Sequence, residues 1–510
     1  MRNLTSLLCI LLPLTALNAA SHKTPNIVII YADDMGIGDV AHNGGAAPTP
    51  ALDRMASEGM RLTDAHTTSA VCTPSRYGLL TGRYNWRTRL QSSVFFNPMS
   101  KPLIKKDEKT IASLLKDAGY QTGMVGKWHL GYEWARKEEF TKEPHMLGQG
   151  WEIDYRKPAG SPMRNGFDYH YGILASLDMP PYVYIDQDLA VANPTVSKGY
   201  QRNNQGRLLE GKEAKGRIGA ADPNFTAEGV LPIFAQKSVE FIDQAAEKDA
   251  PFFLYLSLTS PHTPHTPSNK WLGKSGINIY ADFLMETDWV VGQVQSALDA
   301  HGITDNTLIL FSADNGASPK ADYETLAKHN HFPSGQLRGT KADIYEGGHR
   351  VPTLAMWPDA IKGNTVSDRL VTLADVYATL ADIVDADTTD IADSISFLPT
   401  LLGQSQPDRS AIVMHSFRGT FAIRSEDWKL CFGGGSGGFS HPSQRPEGAP
   451  KWQLYNLAND LAESQNLYET HPEKVAELHS LMLDYIQRGR STPGPNLTND
   501  TKVSLEKPKM

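Results

Sequence analysis

Apolar, β-branched runs punctuate the chain, and each stops abruptly in polar residues. Residues 25–31 read Pro-Asn-Ile-Val-Ile-Ile-Tyr and end in Ala32-Asp33-Asp34. Residues 251–257 lead into Ser260-Pro261-His262, and 307–311 into Ser312-Ala313-Asp314-Asn315-Gly316. A shorter run, 120–125, opens into Gly126-Lys127-Trp128-His129. Continuous apolar runs of this length suit strands buried on both faces of a parallel sheet. Helical periodicity lies between them, as in 110–118 before Gly119 and 283–300 before Gly302. The alternation predicts an α/β fold whose large domain has a mostly parallel central sheet flanked by helices. Ligands in such sheets sit beyond the carboxyl ends of the strands, so the four polar strand ends predict one shared pocket.

After about Gly403 the texture changes. Short strand signals at 411–415, 420–424 and 428–431 precede a glycine-rich loop at 433–438 and a closing helix at 472–487. This predicts a small C-terminal α+β subdomain with a short antiparallel sheet. The domain reading is a large domain over 21–403, a subdomain over 404–490 and a flexible tail over 491–510. Residues 160–219 are polar and rich in glycine and proline, and predict long loops over the pocket.

The N-terminus carries Arg2, an apolar run at 7–17 interrupted by Pro13, and the small residues Ala19 and Ala20 before Ser21. That layout is too short for a membrane span and fits a secretory signal peptide. It predicts export to the periplasm or the medium, cleavage near Ala20 and no membrane span. Cleavage removes Cys9 and leaves Cys72 and Cys431, which in an exported chain are open to forming one disulfide. The formal net charge of -8 excludes nucleic acid or any other polyanion gripped by a broad basic surface. An anionic substrate has to be held locally.

Asp33 and Asp34 are adjacent carboxylates at a strand end, where their repulsion is costly unless a cation offsets it. Asp314 and Asn315 supply two more oxygen ligands at another strand end. This hard-oxygen set suits Ca²⁺ better than Zn²⁺. The most specific stretch is Ser69-Ala-Val-Cys72-Thr73-Pro74-Ser75-Arg76, followed by Thr81-Gly82-Arg83. Pro74 fits the first turn of a helix, which places Cys72 at the helix N-terminus, where the dipole favours an anionic nucleophile.

The pattern C-x-P-x-R followed by T-G-R resembles the signature of the sulfatase family, arylsulfatase-like enzymes of the alkaline phosphatase-like superfamily. Companion segments in family order strengthen the resemblance: Asp33-Asp34, Gly126-Lys-Trp-His-Leu-Gly131, Ser260-Pro-His-Thr-Pro-His265, Asp314-Asn-Gly316, Gly339-Thr-Lys341 and Glu346-Gly-Gly-His-Arg-Val-Pro352. In the C-terminal part, Leu454-Tyr-Asn-Leu457 through Asn466-Leu467 also resembles a family segment.

The resemblance implies that Cys72 is oxidised to formylglycine by a formylglycine-generating or anaerobic sulfatase-maturing enzyme, and so is not a disulfide partner. It implies that Asp33, Asp34, Asp314 and Asn315, with position 72, hold one Ca²⁺. Lys127 and Lys341 would bind sulfate oxygens, Arg76 would orient the formylglycine hydrate, and His262, assisted by Lys341, would protonate the leaving group. His129 would deprotonate the second hydroxyl of the sulfated hydrate. Export and the polar loops favour a sulfated carbohydrate as substrate, with Ser176, Asp178 and His331 expected on the pocket walls. Two other readings are a promiscuous arylsulfatase or phosphomonoester or phosphonate hydrolase of the same superfamily, and an inactive carbohydrate-binding relative.

Overall fold

The computed structural model describes residues 24–140, 148–160, 162–202, 208–210 and 217–505. The expected signal peptide and its cleavage point near Ala20 therefore lie outside the described residues. No described helix is long and apolar enough to cross a membrane.

One ten-stranded sheet dominates. In chain order its strands are β1 (Asn26–Asp33), β2 (Met60–Leu62), β3 (Gln121–Lys127), β4 (Tyr169–Ile173), β5 (Ile185–Asp186), β6 (Leu189–Ala190), β7 (Phe252–Pro261), β8 (Thr307–Ala313), β9 (Thr353–Met356) and β10 (Thr365–Ser367). They lie side by side as β10-β2-β9-β8-β1-β7-β3-β4-β5-β6. The middle of the sheet, β8-β1-β7-β3-β4, is parallel throughout. These include the four runs that the apolar pattern marks. Ile27, Val28, Ile29 and Ile30 of β1 are at most 1% exposed, and each such side chain contributes about 1.5–3 kcal/mol of hydrophobic stabilisation. The antiparallel members β9, β2, β5 and β6 are confined to the flanks. The stretch 160–219 is only partly loop, since it also supplies β4 and the β5–β6 hairpin.

Helices cover the sheet. α1 (Pro50–Glu58), α4 (Val230–Ala246) and α5 (Ile279–Ala300) pack together over it, and α2 (Cys72–Thr81), α3 (Ile111–Asp117) and α6 (Asp375–Ile383) form a second mutually packed group. Thr110 caps α3 by accepting from the Ser113 N–H, which explains where the periodic pattern begins.

The C-terminal region forms a four-stranded antiparallel sheet from β11 (Ile412–His415), β12 (Phe421–Ser425), β13 (Trp428–Cys431) and β14 (Gln453–Asn456). Helix α7 (Pro472–Gln487) packs on it through Leu478, Met482 and Tyr485. The same core takes in Tyr84 and Trp86, just beyond α2. Trp86 stacks on Tyr84 and meets Phe421 edge-on, both with ring centroids 5.5 Å apart. The small sheet is thus bound to the segment that follows Thr81-Gly82-Arg83.

Residues 491–505, expected to be a flexible tail, lie against the body. The Asp500 N–H donates to the Arg87 carbonyl at 2.8 Å, and Val503 and Leu505 pack on the C-terminal core. Asp500 pairs with Arg83 at 3.1 Å and with Lys105 at 2.8 Å, and beneath the tail lies a fully buried ion pair that composition does not reveal. Arg87 makes a two-pronged contact with Asp393 at 2.8 Å and also donates to the Tyr485 carbonyl and the Asn499 side chain. Asp393→Ala leaves that guanidinium buried and uncompensated, and is expected to cost about 3–5 kcal/mol of stability in denaturant unfolding. An exposed carboxylate removed as a control, Glu469→Ala, should stay within about 0.5 kcal/mol.

Candidate active site

Strands β1, β3, β7 and β8 bring their carboxyl ends together, as the apolar pattern predicts. Asp33 closes β1, and Asp34 turns the chain with a φ of 66°. Lys127 closes β3, after Gly126 at φ 120°. A Cβ on Gly126 would stand 1.9 Å from the Ser257 carbonyl oxygen, so only glycine permits this approach of β3 to β7. Gly316, after Asp314-Asn315, is pressed in the same way on Gly347, where a Cβ would meet the carbonyl oxygen at 1.9 Å.

Cys72 is the first residue of α2, with Pro74 in its first turn. Its thiol is buried and free, and so is that of Cys431, so the disulfide left open by the cysteine count does not form. Burial raises the Cys72 pKa, against the lowering influence of Lys127 and Lys341. A thiol held protonated is a poor nucleophile.

Around it three carboxylates and an amide are at most 1% exposed: Asp33, Asp34, Asp314 and Asn315. Each carboxylate has one oxygen clamped by a cation. Lys127 Nζ donates to Asp33 Oδ2 at 2.7 Å, Lys341 Nζ lies 2.5 Å from Asp34 Oδ1, and Arg76 donates to Asp314 Oδ2 from Nε at 3.0 Å and Nη2 at 2.7 Å. Burial tends to raise the Asp33 pKa, but Lys127, with His262, Arg76 and Lys341, holds it well below the usual range. Asp314 goes the other way, raised by burial and by the Asp33 charge despite Arg76.

What remains are buried oxygens without a hydrogen bond: Asp33 Oδ1, Asp34 Oδ2 and Asn315 Oδ1. Ligand atoms of Asp33, Cys72 and Asp314 also lie within 4.8 Å of one another. Orphaned hard oxygens on buried carboxylates and an amide are what a divalent metal ion would satisfy. The residues fit such an ion.

The two histidines differ in what they present. His129 sits at φ 55°, an uncommon conformation for a non-glycine residue, just past β3. Its Nε2 faces the Phe95 carbonyl at 2.9 Å. A carbonyl only accepts, so Nε2 carries the proton. Nδ1 then bears the lone pair, and it is buried without a partner. Burial, followed by Lys127, holds the ring well below its ordinary pKa, so it is neutral. His262 donates from Nδ1 to the Thr263 carbonyl and turns Nε2 toward Asp34 Oδ2, 3.7 Å away. Burial and the Lys341 charge lower its pKa too, whereas Lys341 stays firmly protonated.

Above this floor lies a cavity of about 270 Å³ that reaches Cys72, His129, His262 and Lys341. Ser176 and Asp178 line it as expected, and Ser176 also accepts from Lys127 Nζ at 2.7 Å. Lys127 and Arg76 are fully buried beneath the cavity and do not line it. His331 is misplaced by the sequence reading. It is fully buried behind the site, with Nε2 2.8 Å from Asp39 Oδ1 and Nδ1 accepting from the Ala46 N–H. Two ring nitrogens with internal partners leave it nothing to offer a ligand. Part of the wall is not marked by any motif: Phe96, Arg217, Phe417 and Phe439 come from loops, and two of them belong to the C-terminal region.

The family model described as Sulfatase matches residues 25–386. An N-acetylgalactosamine-6-O-sulfatase of Bacteroides thetaiotaomicron is 33% identical, covering 91% of this chain and 94% of that protein. Human arylsulfatase A is 32% identical, covering 92% of this chain and 89% of that one. A solved structure from work on the metabolism of multiple glycosaminoglycans by Bacteroides thetaiotaomicron superposes with a TM-score of 0.75 at 30% identity, covering 90% of this chain and 99% of that one. With a family model spanning most of its length and relatives alike nearly from end to end, the chain belongs to the sulfatase family.

Proposed function

We propose that this sulfatase releases sulfate from a sulfated saccharide, using a formylglycine made from Cys72 and a bound Ca²⁺. The observation that carries the reading is the floor of the cavity: Cys72 beside buried, unpartnered oxygens of Asp33, Asp34 and Asn315, with Lys341 and His262 on its lining. The similarity to an N-acetylgalactosamine-6-O-sulfatase supports a sugar ester as substrate. Export with loss of residues 1–20 would place the enzyme where sulfated polysaccharides or their oligosaccharides occur.

Asp33, Asp34, Asp314 and Asn315, with position 72, would hold the Ca²⁺, which when bound supplies positive charge for a sulfate oxygen and for an oxyanion nucleophile. Lys341 and, from beneath, Lys127 add charge that grows in value as the leaving oxygen departs. Arg76 fixes Asp314 and, through Nη1, Ser257, and so holds the floor in place. A hydrated formylglycine at position 72 would supply an oxyanion for sulfur, the proton of that hydroxyl passing to solvent, and the departing sugar oxygen would take a proton from the His262–Lys341 pair. His262 is neutral in the free protein, so Lys341 is the standing proton source of that pair. His129 Nδ1, with its free lone pair, would take the proton of the second hydroxyl, so that sulfate leaves with the carbon–oxygen bonding pair and the aldehyde is regenerated. Serine at position 72 has no second hydroxyl and would stop after the first step.

The direct test is sulfate release by matured enzyme from N-acetylgalactosamine 6-sulfate and other monosaccharide sulfates, with 4-nitrophenyl phosphate in parallel. Sugar sulfates should be turned over at least about a hundredfold faster than the phosphate, a gap of about 2.7 kcal/mol. Faster phosphate turnover would make the phosphohydrolase reading the correct one. Maturation is expected on the unfolded chain, because Cys72 is only 3% exposed after folding. Peptide mass spectrometry of active enzyme should show an aldehyde in place of the Cys72 thiol, and fully active protein with an intact thiol contradicts the mechanism. Because His129 acts only in the second step, His129→Ala should slow turnover by about 10²–10⁴-fold. Rapid-quench mass spectrometry should find a sulfate adduct at position 72 in that variant, and its absence would remove His129 from the assigned role.

A further inference from the structure

Asp178 and Arg217 face the cavity from one wall, yet they do not satisfy each other. Asp178 Oδ2 and Arg217 Nη2 are 3.8 Å apart, beyond hydrogen-bond reach. Asp178 Oδ1 is buried and has no hydrogen-bond partner among the described residues. Both residues are held from behind. Asp178 lies between the buried Leu177 and Met179, and the Met179 N–H donates to the Ser176 carbonyl at 3.0 Å. The Arg217 carbonyl accepts from the buried Tyr182 hydroxyl at 2.6 Å, and its guanidinium lies over the Phe96 ring, 5.5 Å from the centroid.

We infer that Asp178 and Arg217 form a hydroxyl-reading pair that selects sulfated sugars with free, adjacent hydroxyl groups and rejects a second sulfate at that position. A hydroxyl oxygen about 2.8 Å from each partner fits the 3.8 Å gap, accepting from Nη2 and donating to Oδ2. A neighbouring hydroxyl can then donate to the orphaned Oδ1, because an ionised carboxylate only accepts. A sulfate at either position has no proton to donate and brings its charge against the Asp178 carboxylate. The pair is neutral overall, in contrast to the cationic floor that would take the scissile sulfate. The separation of duties makes chemical sense: the floor reads the ester, the wall reads what the ester is attached to.

This inference rests on the proposed saccharide substrate, and the experiment separates the two. Matured enzyme is assayed on N-acetylgalactosamine 6-sulfate, its 3-deoxy and 4-deoxy analogues, its 4,6-disulfate and 4-nitrophenyl sulfate. At least one deoxy analogue, and the disulfate, should lose about 10- to 100-fold in kcat/KM, as expected for hydrogen bonds to charged groups. In Asp178→Ala and in Arg217→Gln, the ratio of kcat/KM on the parent sugar to that on the aryl sulfate should fall by a similar factor. The deoxy penalty should shrink with it, since the partner of the missing hydroxyl is gone. Aryl sulfate turnover reports folding of each variant. Sugar turnover with the ratio unchanged in both variants, or with the deoxy penalty intact, overturns the pair while leaving the saccharide reading. Aryl sulfate turnover without any on the sugar sulfates overturns the saccharide reading, and the pair falls with it.

Discussion

The site depends on one electrostatic constraint: three carboxylates, Asp33, Asp34 and Asp314, are taken almost completely out of water at the end of the sheet. Each such charge costs several kcal/mol to desolvate unless an opposite charge arrives in good geometry. Three cations meet the requirement, and each comes from a different element: Arg76 from α2, Lys127 from the end of β3, Lys341 from a loop after β8. The strands can end where they do only because these elements converge. Compensation is also incomplete, since one oxygen each on Asp33 and Asp34 stays unpartnered. The fold thus builds both the charge and the vacancy in its pairing that catalysis would use.

The same constraint explains why the C-terminal sheet is no mere appendage. The segment that carries Lys341 is stitched on several sides: the Lys341 N–H donates to the Ala317 carbonyl, Ala342 to Ala70, Phe417 to Ala342 and Ile344 to Ser436. Below it, Glu346 pairs at 2.9 Å with Lys429 of β13, which in turn lies 2.8 Å from Glu463. Lys429 is fully buried. The C-terminal sheet is therefore joined to the Lys341 segment by backbone hydrogen bonds and by fully buried ion pairs.

The parallel core and the site floor were legible in the sequence because both leave local signatures. A buried strand needs an unbroken apolar run, and its end needs an abrupt polar one, so residues 25–34 and 307–316 announce structure and chemistry together. Cys72 was placed at a helix start by Pro74 alone. The antiparallel flanks were missed since strands as short as the three-residue β2 and the two-residue β5 carry no readable period. His331 was assigned to the pocket because a histidine in a polar loop looks available, and its partner Asp39 lies far away in sequence. The aromatic wall was invisible for a similar reason. Nothing in the neighbourhood of Phe96, Phe417 or Phe439 says that the three will converge.

That wall has its own significance. Phe96 meets Phe417 at 6.5 Å between centroids, and Phe417 meets Phe439 at 5.9 Å, with Phe439 47% exposed at the outer end. None of the three carries charge, so exchanging them leaves the electrostatic balance of the floor as it was. The charged floor and the aromatic wall are written in separate stretches of chain. Substitution can revise the second and leave the first intact.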